Sequence, residues 1–592
     1  MSEIFEIEIL NRNYTEWKTN TEIDNPFSQK LFHKDTFVVK KEIDDENKIQ
    51  MIDSPTRNSK IIPGILILEN NRTFGRTPNK KKLYYSCIPN QKNLPVFLIP
   101  YDISLGFQKN IKNKFVLFRF DHWNNDDKHP YGILTETIGD VDSLSHYYEY
   151  QLYVKRLHPS YYPISMSKYN KKINTLLKEK SFEKYIQEIN ENTEEYGFIL
   201  NESNDRSNKE KTKIFTIDPS GCVDRDDALS ITTTETPQIF KIQVYIANIW
   251  VWLQAFDLWE LIPETNVSTI YLPDFNRNML PTELSEKICS LDETHPCFTF
   301  VMEFEVDILK KTIQPVLNPE ILSQRCVNIS KNFDYESKSL LKYPSYNLLL
   351  QITRELNSEI KDSHELVAFW MMQMNQFIGK EMFMKKRGIF RITEGSGSGS
   401  ELKEEKGKGK EKEKEEKKID SEKFFQIWEN SVSGKYIEYL NSSSSSSSSE
   451  TSHHSILNIS HYMHFTSPIR RKIDICNQLF WIQYLSLDIG TKAKIDNIKI
   501  DKINEDTKKI RKLQNECTLL YLLQESEIPI TTIDGIVIQN MNNNKSLVYL
   551  PLYKCILSCK QKLELYANIK CSIFIFEREN DYKKKIELSV CI

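Results

Sequence analysis

Short apolar runs separated by polar turns dominate the first part of the chain. Phe37–Val39, Ile61–Leu68, Lys82–Ile88, Val96–Ile99 and Phe115–Phe120 are rich in Val, Ile, Phe and Tyr, residues that favour pleated strands. Asn70-Asn71-Arg72 and Asn79 to Lys82 supply turn signals between them. This spacing predicts small β-barrels. Basic turn residues beside Tyr84 and Tyr85 would suit a strand face that stacks bases, and a plain β-domain with a polar rim fits the same residues equally. Further along, Leu366, Phe369, Trp370 and Phe377 recur at helical spacing within Glu365–Met384, and Glu505–Leu523 is a second helix candidate. Strand patterns return in Gly535–Gln539, Ser546–Pro551, Leu563–Ile569, Cys571–Phe576 and Lys585–Ser589, a second barrel signature. The layout is multi-domain α+β, with barrels flanking a larger mixed α/β middle.

Three tracts break the pattern: 395–400, 401–418 and 442–449, made of Gly/Ser, Glu/Lys and Ser. Such composition buries too little apolar surface to offset ordering entropy, so disorder is expected there. The rest is ordinary for a globular protein of 592 residues, with 39% hydrophobic and 27% charged positions. The 79 Lys and Arg nearly balance the 82 Asp and Glu, so a polyanion site must come from local patches. The eleven cysteines are dispersed, which argues against a secreted disulfide framework. The acidic N-terminus lacks a signal-peptide shape and the longest strongly apolar stretch, Val244–Phe256, is too short to span a bilayer. The expectation is a soluble, intracellular monomer, cytoplasmic or nuclear, with no membrane partner.

The most informative stretch is Asp218-Pro-Ser-Gly-Cys-Val-Asp224-Arg-Asp226-Asp227. It follows the apolar piece Ile214–Ile217, and Pro219 and Gly221 force a turn, so carboxylates gather at a strand end. Four carboxylates this close stay ionised together only if a cation compensates them. Oxygen-only ligands favour a hard cation such as Mg²⁺, and two such ions can clamp an in-line phosphodiester displacement. An EF-hand is excluded, because Ala228 and Leu229 stand where a ligand and a glycine are needed. An ordinary acidic turn is the bland alternative. Cys555 and Cys559 lack a matching second pair for zinc, and His453-His454 lies in a polar tract.

A second signal is His461-Tyr-Met-His464-Phe-Thr-Ser467-Pro468-Ile-Arg470-Arg471. Ser467 and Pro468 read as an N-cap and a first helical residue. That places Arg470 and Arg471 in a first turn, where cations oppose the helix dipole unless an anion binds there. A capped helix whose arginines pair with nearby carboxylates is the alternative.

Together, FTIDPSGCVDRDDALS (Phe215–Ser230), YLPDFNRNMLPTELSEKICSL (Tyr271–Leu291) and HYMHFTSPIRRKID resemble the signatures of the RNase II/RNB family of 3′-to-5′ exoribonucleases. The three lie in the family's order, similar to exosome-catalytic-subunit-like members lacking the N-terminal endonuclease domain. The resemblance implies an N-terminal extension (1–30), two cold-shock-type OB barrels (31–105 and 106–165), an RNB catalytic domain (166–525, with an insertion at about 395–455) and an S1-type OB barrel (526–592). It implies hydrolysis of single-stranded RNA to nucleoside 5′-monophosphates with two Mg²⁺. Asp218, Asp224, Asp226 and Asp227 would hold the metal, Asp226 and Arg470 would be catalytic, and Tyr271, Tyr335 and Arg471 would contact RNA.

The chain departs from the family pattern at Cys222, Tyr245, Asn248, Ala368, Phe369, Lys472, Gln478 and Leu479. Those departures raise an alternative, a catalytically degenerate RNB protein acting as an RNA-binding module. The intact Asp tetrad and Arg470 favour activity.

Overall fold

The computed structural model describes residues 3–41, 47–69, 72–102, 111–162, 165–197, 199–201, 212–317, 320–393, 434–439, 453–454, 459–487, 499–525, 532–541, 544–553, 555–577 and 584–590. The tracts at 395–400, 401–418 and 442–449 lie outside them. The chain divides into two compact units: residues 1–158, 272–274 and 513–592, and residues 159–271 and 275–512. Among the described residues no helix is long and apolar enough to cross a membrane.

In the first unit, Phe5–Glu6 and Asn47–Asp53 flank Thr36–Lys41 in a three-stranded antiparallel sheet. Ile7 and Ile9 alternate with Glu6 and Glu8, and this period of two turns both isoleucines into a core with Tyr14, Leu31 and Phe37. Within residues 3–30, where the sequence suggested an extension, Phe5–Glu6 joins this sheet and Glu8–Ile9 pairs with Trp17–Lys18. A five-stranded sheet follows, ordered Gly132–Asp140, Lys114–Phe120, Ile62–Leu66, Leu83–Pro89 and Phe97–Tyr101. The boundary expected at 105/106 falls inside it, because Ile62–Leu66 pairs directly with Lys114–Phe120. Leu66, Phe97, Val116 and Phe118 share one core across that boundary. Tyr85 belongs to the same core, so of the two tyrosines considered for a stacking face only Tyr84 lies outside it, edge-on to Tyr131.

The C-terminal barrel closes in the order Ile533–Met541, Lys545–Leu550, Cys555–Cys559, Lys584–Val590 and Asn568–Glu577. The strand expected at Leu563–Ile569 begins only at Asn568, because Leu563 is held in a turn by donating its amide to Ser546 Oγ. Cys555–Cys559 supplies the missing strand, with both thiols buried in the barrel core. Here cysteine acts as a small apolar residue.

The second unit is built on an eight-stranded mixed sheet. Its path runs Ile199–Asn201, Ser323–Asn328, Pro296–Asp307, Ile239–Ala247, Asp227–Thr233, Phe215–Asp218 and Lys331–Asp334, with Thr312–Pro315 added to Pro296–Asp307. The helix Ser363–Met384 is capped by Asp362, whose carboxylate accepts from the Glu365 amide at 2.9 Å. Leu366, Phe369, Trp370, Met374 and Ile378 give it a buried face, and Phe304 of the sheet packs against Trp370.

Gly379 is where this helix meets the chain leading to the second motif. A Cβ there would lie 1.9 Å from the His461 carbonyl oxygen. Alanine is the better helix former by about 1 kcal/mol, yet a backbone atom cannot yield to it as a flexible side chain would. Gly379→Ala is expected to destabilise the protein by about 1–3 kcal/mol, read by denaturant unfolding. An unchanged midpoint would show that this contact relaxes freely.

Candidate active site

The acidic motif folds as a strand, a turn and a returning strand. Phe215–Asp218 ends at the first carboxylate. Gly221, at φ 77°, takes the left-handed conformation the turn requires, and the Cys222 amide donates to the Pro219 carbonyl at 3.0 Å. Asp227–Thr233 then runs back antiparallel, with Phe215 opposite Leu229. Arg225 moors the connecting loop: its amide donates to Ser290 Oγ, and its Nη1 pairs with Asp292 at 2.9 Å.

Asp226 is 3% exposed. Its Oδ1 accepts from the Ile469 amide at 2.7 Å and its Oδ2 from Arg470 Nε at 2.9 Å. Burial pushes its carboxyl up to about 7 against the opposing pull of Arg470. Burial likewise raises Asp218 to about 6, opposed by a hydrogen bond from Thr216 and by Arg225 and Arg470. Asp227 is driven well above the usual carboxylate range by burial and by the charges of Asp218 and Asp226. Asp218 Oδ2 is buried without a hydrogen-bond partner, with Arg225 Nε 3.9 Å away. Asp224 is half-buried and accepts from the Cys222 thiol at 3.5 Å. The structure therefore brings Asp218, Asp224, Asp226, Asp227 and Arg470 together.

The Ser467-Pro468 segment differs from its sequence reading. The helix begins at Lys472, after Arg470 and Arg471. Ser467–Arg471 forms a single turn, with the Arg471 amide donating to the Ser467 carbonyl. The chain then bridges Val267–Thr269: the Thr269 amide donates to the Arg470 carbonyl, and the Lys472 amide to that of Val267. This pairing postpones the helix, whose N-cap is Arg471 rather than Ser467. Arg470 Nη2 also donates to Ser467 Oγ, while its side chain stays 45% exposed. Arg471 turns its side chain instead to the fully buried Asp474, at 2.9 Å, while its charge still acts on Asp227.

Tyr271 lies on a short hairpin, Ile270–Tyr271 paired with Asn276–Arg277, and is 37% exposed. Burial and the charge of Asp224 push its hydroxyl up. Tyr335 donates its amide to the Asp218 carbonyl at 2.9 Å, and its hydroxyl is raised by burial and by Asp227 and Asp218. Its ring stacks on His364, with centroids 3.6 Å apart. Both tyrosines thus approach the carboxylates.

Sequence reasoning overlooked three residues around this site: the Ile469 amide, Arg225 and His364. Arg225, set between two of the aspartates, was the legible one as a counter-charge. His364 carries no signal beyond its place at a helix start.

Among the described residues no three His, Cys, Asp or Glu side chains converge as a ready-made metal sphere. The donor chemistry still fits a hard cation: the cluster offers carboxylate oxygens, one of them buried and unpartnered.

The RNB domain model matches residues 206–339 and 320–486, and that of the Dis3-like cold-shock domain 2 matches residues 84–150. Exoribonuclease 2 of Psychromonas ingrahamii is 36% identical over 95 residues, 16% of this chain and 14% of the relative. Exoribonuclease 2 of Buchnera aphidicola subsp. Acyrthosiphon pisum is 37% identical over 99 residues, 17% of this chain and 15% of the relative. The matched stretch is thus a small part of the length of these curated relatives. The apo form of Mycoplasma genitalium RNase R shares the fold at a TM-score of 0.65 and 15% identity, covering 99% of this chain and 100% of that one. Yeast Ssd1, described as a pseudonuclease, aligns at a TM-score of 0.53 and 11% identity over 96% of this chain and 80% of its own. The chain thus carries an RNB domain, with a Dis3-like cold-shock domain before it.

Proposed function

We propose that this chain is a 3′-to-5′ exoribonuclease that hydrolyses single-stranded RNA to nucleoside 5′-monophosphates. The observation that carries the reading is Asp226, a buried carboxylate held by Arg470 within a cluster of four aspartates. Its family relatives point the same way: M. genitalium RNase R has been solved with ribose-methylated single-stranded RNA and with double-stranded RNA. In this reading Asp218, Asp224, Asp226 and Asp227 hold two Mg²⁺. When bound, the cations supply Lewis-acid charge at the scissile phosphate. Arg470 keeps one arm on Asp226 and Ser467, and its exposed remainder takes a phosphate oxygen as negative charge builds. Tyr271 and Tyr335 orient the terminal nucleotides.

The second reading, an RNA-binding protein without catalysis, is favoured by the likeness to Ssd1 and by the departures from the family pattern. Several of those positions have structural work. Asn248 caps the helix Ile249–Ala255, a task asparagine and aspartate do equally well. The Tyr245 hydroxyl donates to Gln243 Oε1. Gln478 accepts from the Ile249 amide and donates to the Ala247 carbonyl. Lys472 Nζ donates to the Thr265 carbonyl. Phe369 is core, while Ala368 is exposed. The substitutions are accommodated in packing, and the aspartates and Arg470 are intact.

Three outcomes test this. Asp226→Asn keeps an acceptor for the Ile469 amide but turns an NH₂ toward Arg470 and removes a charge. Hydrolysis of 5′-labelled single-stranded RNA should fall by orders of magnitude while the protein stays folded and RNA binding holds. Wild-type rates would remove Asp226 from the chemistry. Arg470→Lys replaces a fork by a point charge, so turnover should fall more than affinity in single-turnover assays. Equal rates would make Arg470 structural. Finally, burial holds Asp218 and Asp226 partly protonated near neutrality, so a cation must displace protons. Apparent Mg²⁺ affinity should rise from pH 6 to pH 8, with more protons released per ion at pH 6, as read by calorimetry in buffers of different ionisation heat. A pH-independent affinity would contradict the ligand assignment.

A further inference from the structure

His364 and Tyr335 form a built platform. The chain at Tyr335–Glu336 leaves the strand Lys331–Asp334, which pairs in parallel with Phe215–Asp218 and sets Asp334 opposite Asp218. Glu336 has a left-handed backbone, φ 53°, an unfavourable conformation for a residue with a side chain. A reciprocal clamp holds it there. The Glu336 amide donates to Ser363 Oγ at 3.3 Å, and the Ser363 amide donates to Glu336 Oε1 at 2.7 Å. Ser363 is fully buried at the start of the long helix. The clamp therefore fixes the next residue, His364, over the ring of Tyr335, 3.6 Å between centroids and 10° from parallel. Tyr335 is in turn tied to the acidic strand through the Asp218 carbonyl.

One face of Tyr335 is thus taken by His364, while His364 itself is exposed. Here the outer ring is backed by an aromatic, anchored by a two-bond clamp and open to solvent. Aromatic rings offered in this way take nucleobases face-on, without regard to sequence, because every base has a π-face. We propose that His364 is a nucleobase-binding residue, taking one base of single-stranded RNA on its exposed face with Tyr335 as the supporting ring beneath. Tyr335 is then a positioning residue for that base rather than its direct contact. This rests on the reading of the site as an RNA-processing one, and it adds a residue to it.

The test uses the full chain in an Asp226→Asn background, so that the RNA stays intact. A single-stranded oligoribonucleotide carries 2-aminopurine near its 3′ end, whose fluorescence is quenched when it stacks. His364→Ala should bind this RNA about tenfold more weakly and lose the quench, while His364→Phe, which keeps a ring, should restore both. Unchanged affinity and quench in a folded His364→Ala protein would overturn the His364 assignment alone, leaving the exoribonuclease reading in place. Tighter binding in His364→Ala would also overturn it, because the ring would then be filling a slot that a base must empty. If the Asp226→Asn protein with His364 intact bound no RNA, the broader reading would fall together with this one.

Discussion

The buried carboxylate of Asp226 is the constraint on which the rest of the site depends. A charge taken out of water needs partners, and its partners come from 243 and 244 residues away, at Ile469 and Arg470. This one side chain thereby joins the acidic turn to the segment that carries the arginine. Everything that positions either segment serves that join: the Arg225 mooring on Asp292 on one side, the bridge to Val267–Thr269 on the other. The same burial that makes the carboxyl reluctant to ionise makes it a strong seat for positive charge.

The acidic motif was legible because its chemistry is local. An apolar strand, a Pro and Gly turn and four aspartates within ten residues describe their own geometry. Five of the N-terminal strands were legible for the same reason, as was the long helix from its apolar spacing, whereas Asn47–Asp53 and Gly132–Asp140 were not. What escaped depends on partners distant in sequence. The boundary placed at 105/106 fell inside a sheet because Ile62–Leu66 finds its neighbour at Lys114–Phe120. Ser467-Pro468 looks identical whether it opens a helix or a turn, and the pairing with Val267–Thr269 decides which. Cys555 and Cys559 read locally as a spacing of possible ligands, whereas the segment they bound is a strand with both thiols in the barrel core. His364 has no local signature, since its meaning comes from Tyr335 and from the clamp between Glu336 and Ser363.

Departures from a family pattern read differently once their surroundings are known. Asn248 and Gln478 satisfy main-chain groups at the start of one helix, at Val251, Ile249 and Ala247. Such groups must be paired when buried, so the pair is constrained by hydrogen bonding in the scaffold. Both residues thus serve the scaffold that surrounds the carboxylates.

The helix Ser363–Met384 has a mechanical meaning of its own. It carries His364 over Tyr335 near one end and Gly379 against the His461 carbonyl nearer the other. It therefore works as a gauge block with both ends in fixed contact. One residue inserted between those points would advance the far end by about 1.5 Å and turn it by about 100°, unseating either the ring or the glycine. Length along this stretch is consequently far less free to drift in evolution than the identity of the side chains it carries.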